Sequence, residues 1–305
     1  KNTVKLNATD VIGDYDTIYV VDINDCSDAI VADSEITANG HSYIYGLIIS
    51  GDNFNVTNNT ISTISDTYYA DGIDVEGPAT GIVESNVVTV SAPASAYGIY
   101  AAMSNGNVSV DYKDNIINAD AYAAFGMEMS GIISDVLNNV ITVQGNYTTG
   151  IATRITDVNI AENNITAKGS GKGNESIWDG FGVQNVGIKT IDNNAIIVNN
   201  TINSNDNGIS ASRANLDVLY NTLDVVDTGS DDSYGIYVVE SSNVEIDEND
   251  ITYEGHTNGT FVNNAMYIGD SAIYEVSGNN FNITIPSAPV NWVEIPAGSW
   301  NYVRI

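Results

Sequence analysis

Asn243-Val244-Glu245-Ile246-Asp247-Glu248-Asn249-Asp250-Ile251-Thr252 is the clearest copy of a frame that recurs from end to end of the chain. An apolar residue stands three before an Asn, and another stands two after it. Earlier copies read Val31…Ser34…Ile36, Val56…Asn59…Ile61, Val83…Asn86…Val88, Tyr112…Asn115…Ile117, Val136…Asn139…Ile141 and Ile160…Asn163…Ile165. Later ones read Ile191…Asn194…Ile196, Val218…Asn221…Leu223 and Val276…Asn279…Phe281. Ile197…Asn200…Ile202 also fits. Asn194 is preferred over Asn200 because it keeps the period regular. With Asn194 the steps from Ser34 onward are 25, 27, 29, 24, 24, 31, 27, 28 and 30 residues.

A second mark precedes each Asn. It is a Gly followed by alternating apolar residues, as in Gly46-Leu47-Ile48-Ile49, Gly72-Ile73-Asp74-Val75, Gly98-Ile99-Tyr100-Ala101 and Gly126-Met127-Glu128-Met129. It recurs at Gly150, Gly182, Gly208 and Gly235. A fixed period in this range marks a solenoid or array. Each period holds three short alternating segments rich in Val, Ile, Thr and Tyr, the pattern of strands with one buried face. A propeller blade needs four strands and a longer repeat. The prediction is an all-β fold, a right-handed parallel β-helix solenoid of about ten three-strand rungs. It forms a single domain over 1–305, with 1–16 as an N-terminal cap and 286–305 as C-terminal capping strands.

The Asn column is expected to be architectural, passing amide hydrogen bonds from rung to rung at a tight corner. The Gly column marks a corner that needs positive φ or close backbone approach. Segments 62–70, 89–96, 118–124, 142–149, 166–181, 203–207, 224–234 and 252–264 fall between the third strand and the next Gly. They are expected to be loops stacked on one edge, a place where solenoids bind. Tyr45, Tyr97, Phe125, Phe181 and Tyr234 precede the repeat Gly and are expected to stack in one column.

Thirty-nine Asp and Glu against nine Lys and Arg give a net charge of −30. That argues against nucleic acid and anionic lipid as partners, since both need a basic face. No apolar run is long enough to insert in a membrane. The acidity would instead recruit cations such as Ca²⁺, with Asp231, Asp232, Asp247 and Asp250 as candidate ligands and Asp71, Asp74 and Glu76 as a further acidic cluster. The single Cys26 cannot close an internal disulfide. The chain starts at Lys1, and is read as a processed or excised piece of a longer protein.

The Asn58-Asn59-Thr60-Ile61, Asn138-Asn139-Val140-Ile141 and Asn199-Asn200-Thr201-Ile202 frames, the Gly-Ile-x-Val strands and the acidic, Cys-poor composition carry a resemblance. The chain resembles the adhesin-like cell-surface proteins of methanogenic archaea, within the parallel β-helix class with a pectin-lyase-like fold. The resemblance implies an extracellular or cell-surface, non-catalytic protein. It would contact surface glycans or another cell's surface proteins, and no catalytic residues carry over.

The same fold houses glycoside hydrolases and polysaccharide lyases. Pectin-type hydrolases carry Asn-Thr-Asp, Asp-Asp, Gly-His-Gly and Arg-Ile-Lys signatures on consecutive rungs. Here Asp231-Asp232 has no matching His, and Arg154-Ile155 is followed by Thr156. Alternation points the second residue after each Gly outward. In that column Asp74 and Glu128 stand two rungs apart, about 9.6 Å by strand spacing. That is near the upper limit for the acid and base of an inverting glycosidase, which makes them the candidate catalytic pair. Asp74, Tyr100, Glu128, Arg154, Trp178 and Tyr237 are the candidate ligand contacts. A third reading is a self-assembling surface-layer or filament subunit joined through the helix ends.

Overall fold

The computed structural model describes residues 2–8, 17–102, 108–131, 133–154, 157–171, 185–228, 232–255, 263–284 and 293–294. These residues form 27 strands of one continuous sheet, paired in parallel from each turn to the next. The sheet winds into a parallel β-solenoid of about nine turns. Each turn offers three faces. The glycine face carries the Gly-x-x-x strands, the central face the strands before the Asn, and the third face the strands after it.

The core is built from stacked columns on each face. On the glycine face Leu47, Ile73, Ile99, Met127, Ile151, Ile188, Ile209, Ile236 and Met266 stand in register, each fully buried. On the central face Val56, Val83, Val136, Ile160, Ile197, Val218 and Ile246 do the same. Tyr112 occupies that column too and spends its ring on the core, with its hydroxyl buried.

The asparagine corner is a continuous hydrogen-bond ladder. Asn59, Asn86, Asn115, Asn139, Asn163, Asn200, Asn221 and Asn249 each donate from Nδ2 to the Oδ1 of the next, at 2.9–3.0 Å. Each backbone N–H makes the same upward step, and each Nδ2 also reaches a carbonyl of the turn below. These buried amides are thus satisfied within the corner. The rung after Asn163 is Asn200, not Asn194. Asn194 starts a central-face strand and donates to Asp157. The same displacement moves the Gly column. Gly150 is followed by Gly187, whose carbonyl packs against it. Gly182 and Phe181 lie outside the described residues, and Val186 stands in the aromatic column.

The glycines are there for close approach. A Cβ on Gly98 or Gly126 would meet the next turn's Gly carbonyl at 2.6 or 2.5 Å. Positive φ falls elsewhere, one residue before each ladder Asn, at Asn58, Ser85, Asp114, Asn138, Glu162, Asn199, Tyr220 and Glu248, with φ of 52–59°. That left-handed residue makes the sharp corner.

The expected loop edge is absent where the chain is most regular. Residues 89–96, 118–124 and 142–149 lie inside the unbroken strands Val87–Ala102, Ile116–Ser130 and Val140–Arg154. Small residues let the chain bend without leaving the ladder, as where Ala92, Ala121 and Gly145 pair. At the ends, residues Asn2–Ala8 form a strand paired with Ser34–Gly40. Val293 and Glu294 pair with Met266 and Tyr267. The rest of 286–305 lies outside the described residues.

Candidate functional site

Two surfaces concentrate polar chemistry. The first is the outer side of the glycine face. Asp74, Tyr100 and Glu128 stand on adjacent strands, in register. The next members of that column are Ala152, Lys189, Ser210 and Tyr237. Lys189, two residues after Gly187, is this turn's member of the column. Tyr237 is therefore four strands from Glu128, roughly 19 Å at ordinary strand spacing. It stacks on Tyr267 at 5.4 Å. Arg154 pairs with Ser130 and Ile191, one strand past Glu128 and in a neighbouring column. Trp178 lies outside the described residues.

Asp74 does not meet solvent as an outward residue would. It is 5% exposed. Beside it on the same strand is Asp71, fully buried, which the sequence offered only as a member of an exposed acidic cluster with Asp74 and Glu76. Asp71 sits in the aromatic column, between Tyr45 and Tyr97. One carboxylate in a row of rings was the available signal. Tyr69 donates its hydroxyl to Asp71 Oδ2 at 2.9 Å. Oδ1 of Asp71 and Oδ1 of Asp74 are buried with no hydrogen-bond partner.

Burial raises both carboxyl groups toward the protonated form. Asp74 is pushed up to about 7, first by burial and then by Glu76. Asp71 goes well above the usual carboxylate range, first by burial and then by Asp74, although the Tyr69 hydroxyl pulls it back. Tyr45 and Tyr69 are pushed up by burial and by Asp71. The rings form a wall. Tyr69 is 5.8 Å from Tyr45 and 5.4 Å from Tyr97, and Tyr97 stacks on Phe125 at 4.7 Å.

The second surface is a groove of about 520 Å³ along the central face. Asp135, Asn159, Ile196 and Asp217 line it in register across successive strands, and Asp157, Asn194 and Asn215 run parallel to them. Neighbours fix most of the polar groups. Lys113 pairs with Asp111 at 2.7 Å, Asn159 donates to Asp135 at 3.2 Å, and Asn194 donates to Asp157 at 2.5 Å. A carboxylate has about four acceptor positions, so each keeps others for a ligand. Burial raises the Asp217 carboxyl. The outward alternation of the central strands was legible, but their concavity was not.

Of the candidate calcium residues, Asp247 and Asp250 are held by separate neighbours. Asp247 accepts from Ser277 at 2.5 Å, Asp250 accepts from Asn280 at 2.9 Å, and the two stand on either side of Asn249. Asp232 is exposed, and Asp231 lies outside the described residues. Among the described residues no three His, Cys, Asp or Glu side chains are grouped to hold a metal ion. No helix among them is long and apolar enough to cross a membrane. Comparison with protein-family models finds no match, and comparison with curated proteins finds none; the geometry itself classes the chain as a parallel β-helix.

Proposed function

We propose that this protein is a non-catalytic, adhesin-like surface scaffold that holds a polyhydroxylated ligand, a glycan strand, in the central-face groove. The observation that carries the reading is the groove itself. It offers carboxylate and amide groups one strand spacing apart, fixed in place before any ligand arrives. Sugar hydroxyls are donors and acceptors in turn, and such an array answers both. An extended chain lying across the strands would meet a similar set of groups at each step. The test is a glycan-array screen with and without Ca²⁺, repeated with Asp135→Ala and Asp217→Ala. The reading expects saturable binding that both substitutions weaken, with no release of reducing ends or unsaturated sugars.

One observation favours a carbohydrate-active enzyme as the second reading. Asp74, with its carboxyl near 7, stands two strands from Glu128, about the separation an inverting mechanism uses. Turnover that Asp74→Asn abolishes would carry it. Turnover untouched by Asp74→Asn and Glu128→Gln would place any activity elsewhere.

A further inference from the structure

The buried carboxyl pair on the glycine face has no part in the groove. Asp71 and Asp74 lie on one strand, outward, yet are 0% and 5% exposed. Each keeps one oxygen buried and unpartnered. Unpaired buried carboxyl oxygens are uncommon because their desolvation goes uncompensated. Here two occur side by side, each with an acceptor in hand.

The groups that face them are of one kind. Asp71 meets Asp74, Tyr69, Tyr45 and Glu128, with Tyr97 on the next strand. Asp74 meets Glu76 and has Tyr100 beside it, while the Tyr112 ring stands behind it from the core. The surroundings are thus aromatic faces and negative charge. Tyr45, Tyr69, Tyr97 and Tyr100 are half-buried, so the rings stand between the carboxyls and solvent.

Such surroundings select among cations. A hard divalent ion needs six or more oxygen ligands, and no metal-holding group is formed among the described residues. An organic ammonium ion needs fewer. Its N–H groups take a carboxylate or two, and its charge is attracted to ring faces. We propose that the Asp71–Asp74 pair, walled by Tyr45, Tyr69 and Tyr97, is a receptor for the primary ammonium group of an organic ligand. The ammonium supplies the donors that the two Oδ1 atoms lack. It enters by displacing a proton from the pair, so binding is coupled to pH.

The probe is methylammonium chloride, titrated into the whole protein against sodium chloride at equal ionic strength, with tyrosine emission and calorimetry as readouts. The expected result is a saturable response at pH 8.5, absent with sodium. It should weaken by about tenfold for each pH unit below 7 as protons compete. Asp71→Asn with Asp74→Asn should lower the affinity at least tenfold. Asn reproduces the shape of the neutral acid, so this variant should keep the fold, which circular dichroism checks. A folded wild-type protein that gives no saturable response beyond that of sodium overturns the proposal. So does binding that the folded double variant retains unchanged.

Discussion

Asn163 and Asn200 are hydrogen-bonded neighbours, Nδ2 to Oδ1 at 2.9 Å, although 37 residues separate them in the chain. The ladder steps over Asn194, and the extra residues of that turn are accommodated without breaking it. Its upward hydrogen bonds continue with Asn200 to Asn221 at 3.0 Å. Position in the ladder therefore decides what an Asn is worth.

Asn163→Ala should destabilise the fold by about 3 kcal/mol. It removes the acceptor of Asn139's amide and backbone N–H and the donor to Asn200, all buried. Asn194→Ala should cost about 0.5 kcal/mol or less, since its bond to Asp157 is at the exposed surface. Urea denaturation of the two variants measures the difference. Equal losses would contradict the ladder assignment.

Gly126→Ala should be more damaging than its size suggests. The added Cβ would meet the Gly150 carbonyl oxygen at 2.5 Å and the Ile141 Cγ2 methyl nearer still. Neither is the free end of a flexible chain. A loss of about 3 kcal/mol or failure to fold is expected, in the upper range for overpacking. Thermal unfolding monitored by circular dichroism reads it.

The buried acids predict an unusual pH dependence. The folded pKa of Asp74 is raised to about 7, above the unfolded value of about 3.9. Its contribution is intact below the unfolded value and is lost as pH rises toward 7, because the unfolded chain releases the proton first. Asp71 acts in the same direction. Stability should fall between about pH 4 and pH 7, by an amount on the order of a few kcal/mol. Asp74→Asn should flatten that fall and leave the protein more stable than wild type at pH 8. Denaturation midpoints across pH decide it, and a wild-type protein that gains stability over this window would contradict the assignment.

Much of the fold was legible because a solenoid writes its turn into the sequence. The apolar residue three before the Asn and the one two after it are core columns of two faces, and they must recur. What failed to read was the length of the longest turn, which closes at Asn200 and not at Asn194. Asn194 and Asn200 both satisfy the frame, and regular spacing is no physical requirement when extra residues can be taken up within a turn. The Gly182 to Gly187 shift has the same origin. The strands through 89–96, 118–124 and 142–149 were hidden because Ala, Ser and Gly signal turns in isolation, whereas here they bend a strand that stays paired.

The site was legible in part. Alternation placed Asp74, Tyr100 and Glu128 together, as the register does. It did not show that Asp74 is buried, because outward on a strand is not the same as exposed. Asp71 was legible as one of three neighbouring acids, Asp71, Asp74 and Glu76, and its burial was signalled only by its place in a column of rings. The groove was out of reach, since strand patterns carry no information on how neighbouring turns curve.

The central claim is that the central-face groove holds a glycan without transforming it. Calorimetry of a glycan identified on the array, titrated into wild type and into Asp135→Ala, tests it most directly, with sugar release assayed on the same samples. The account predicts saturable binding, a loss of about tenfold or more in Asp135→Ala, corresponding to about 1.4 kcal/mol, and no released sugar. Binding indifferent to the substitution, or turnover of the bound glycan, would contradict it.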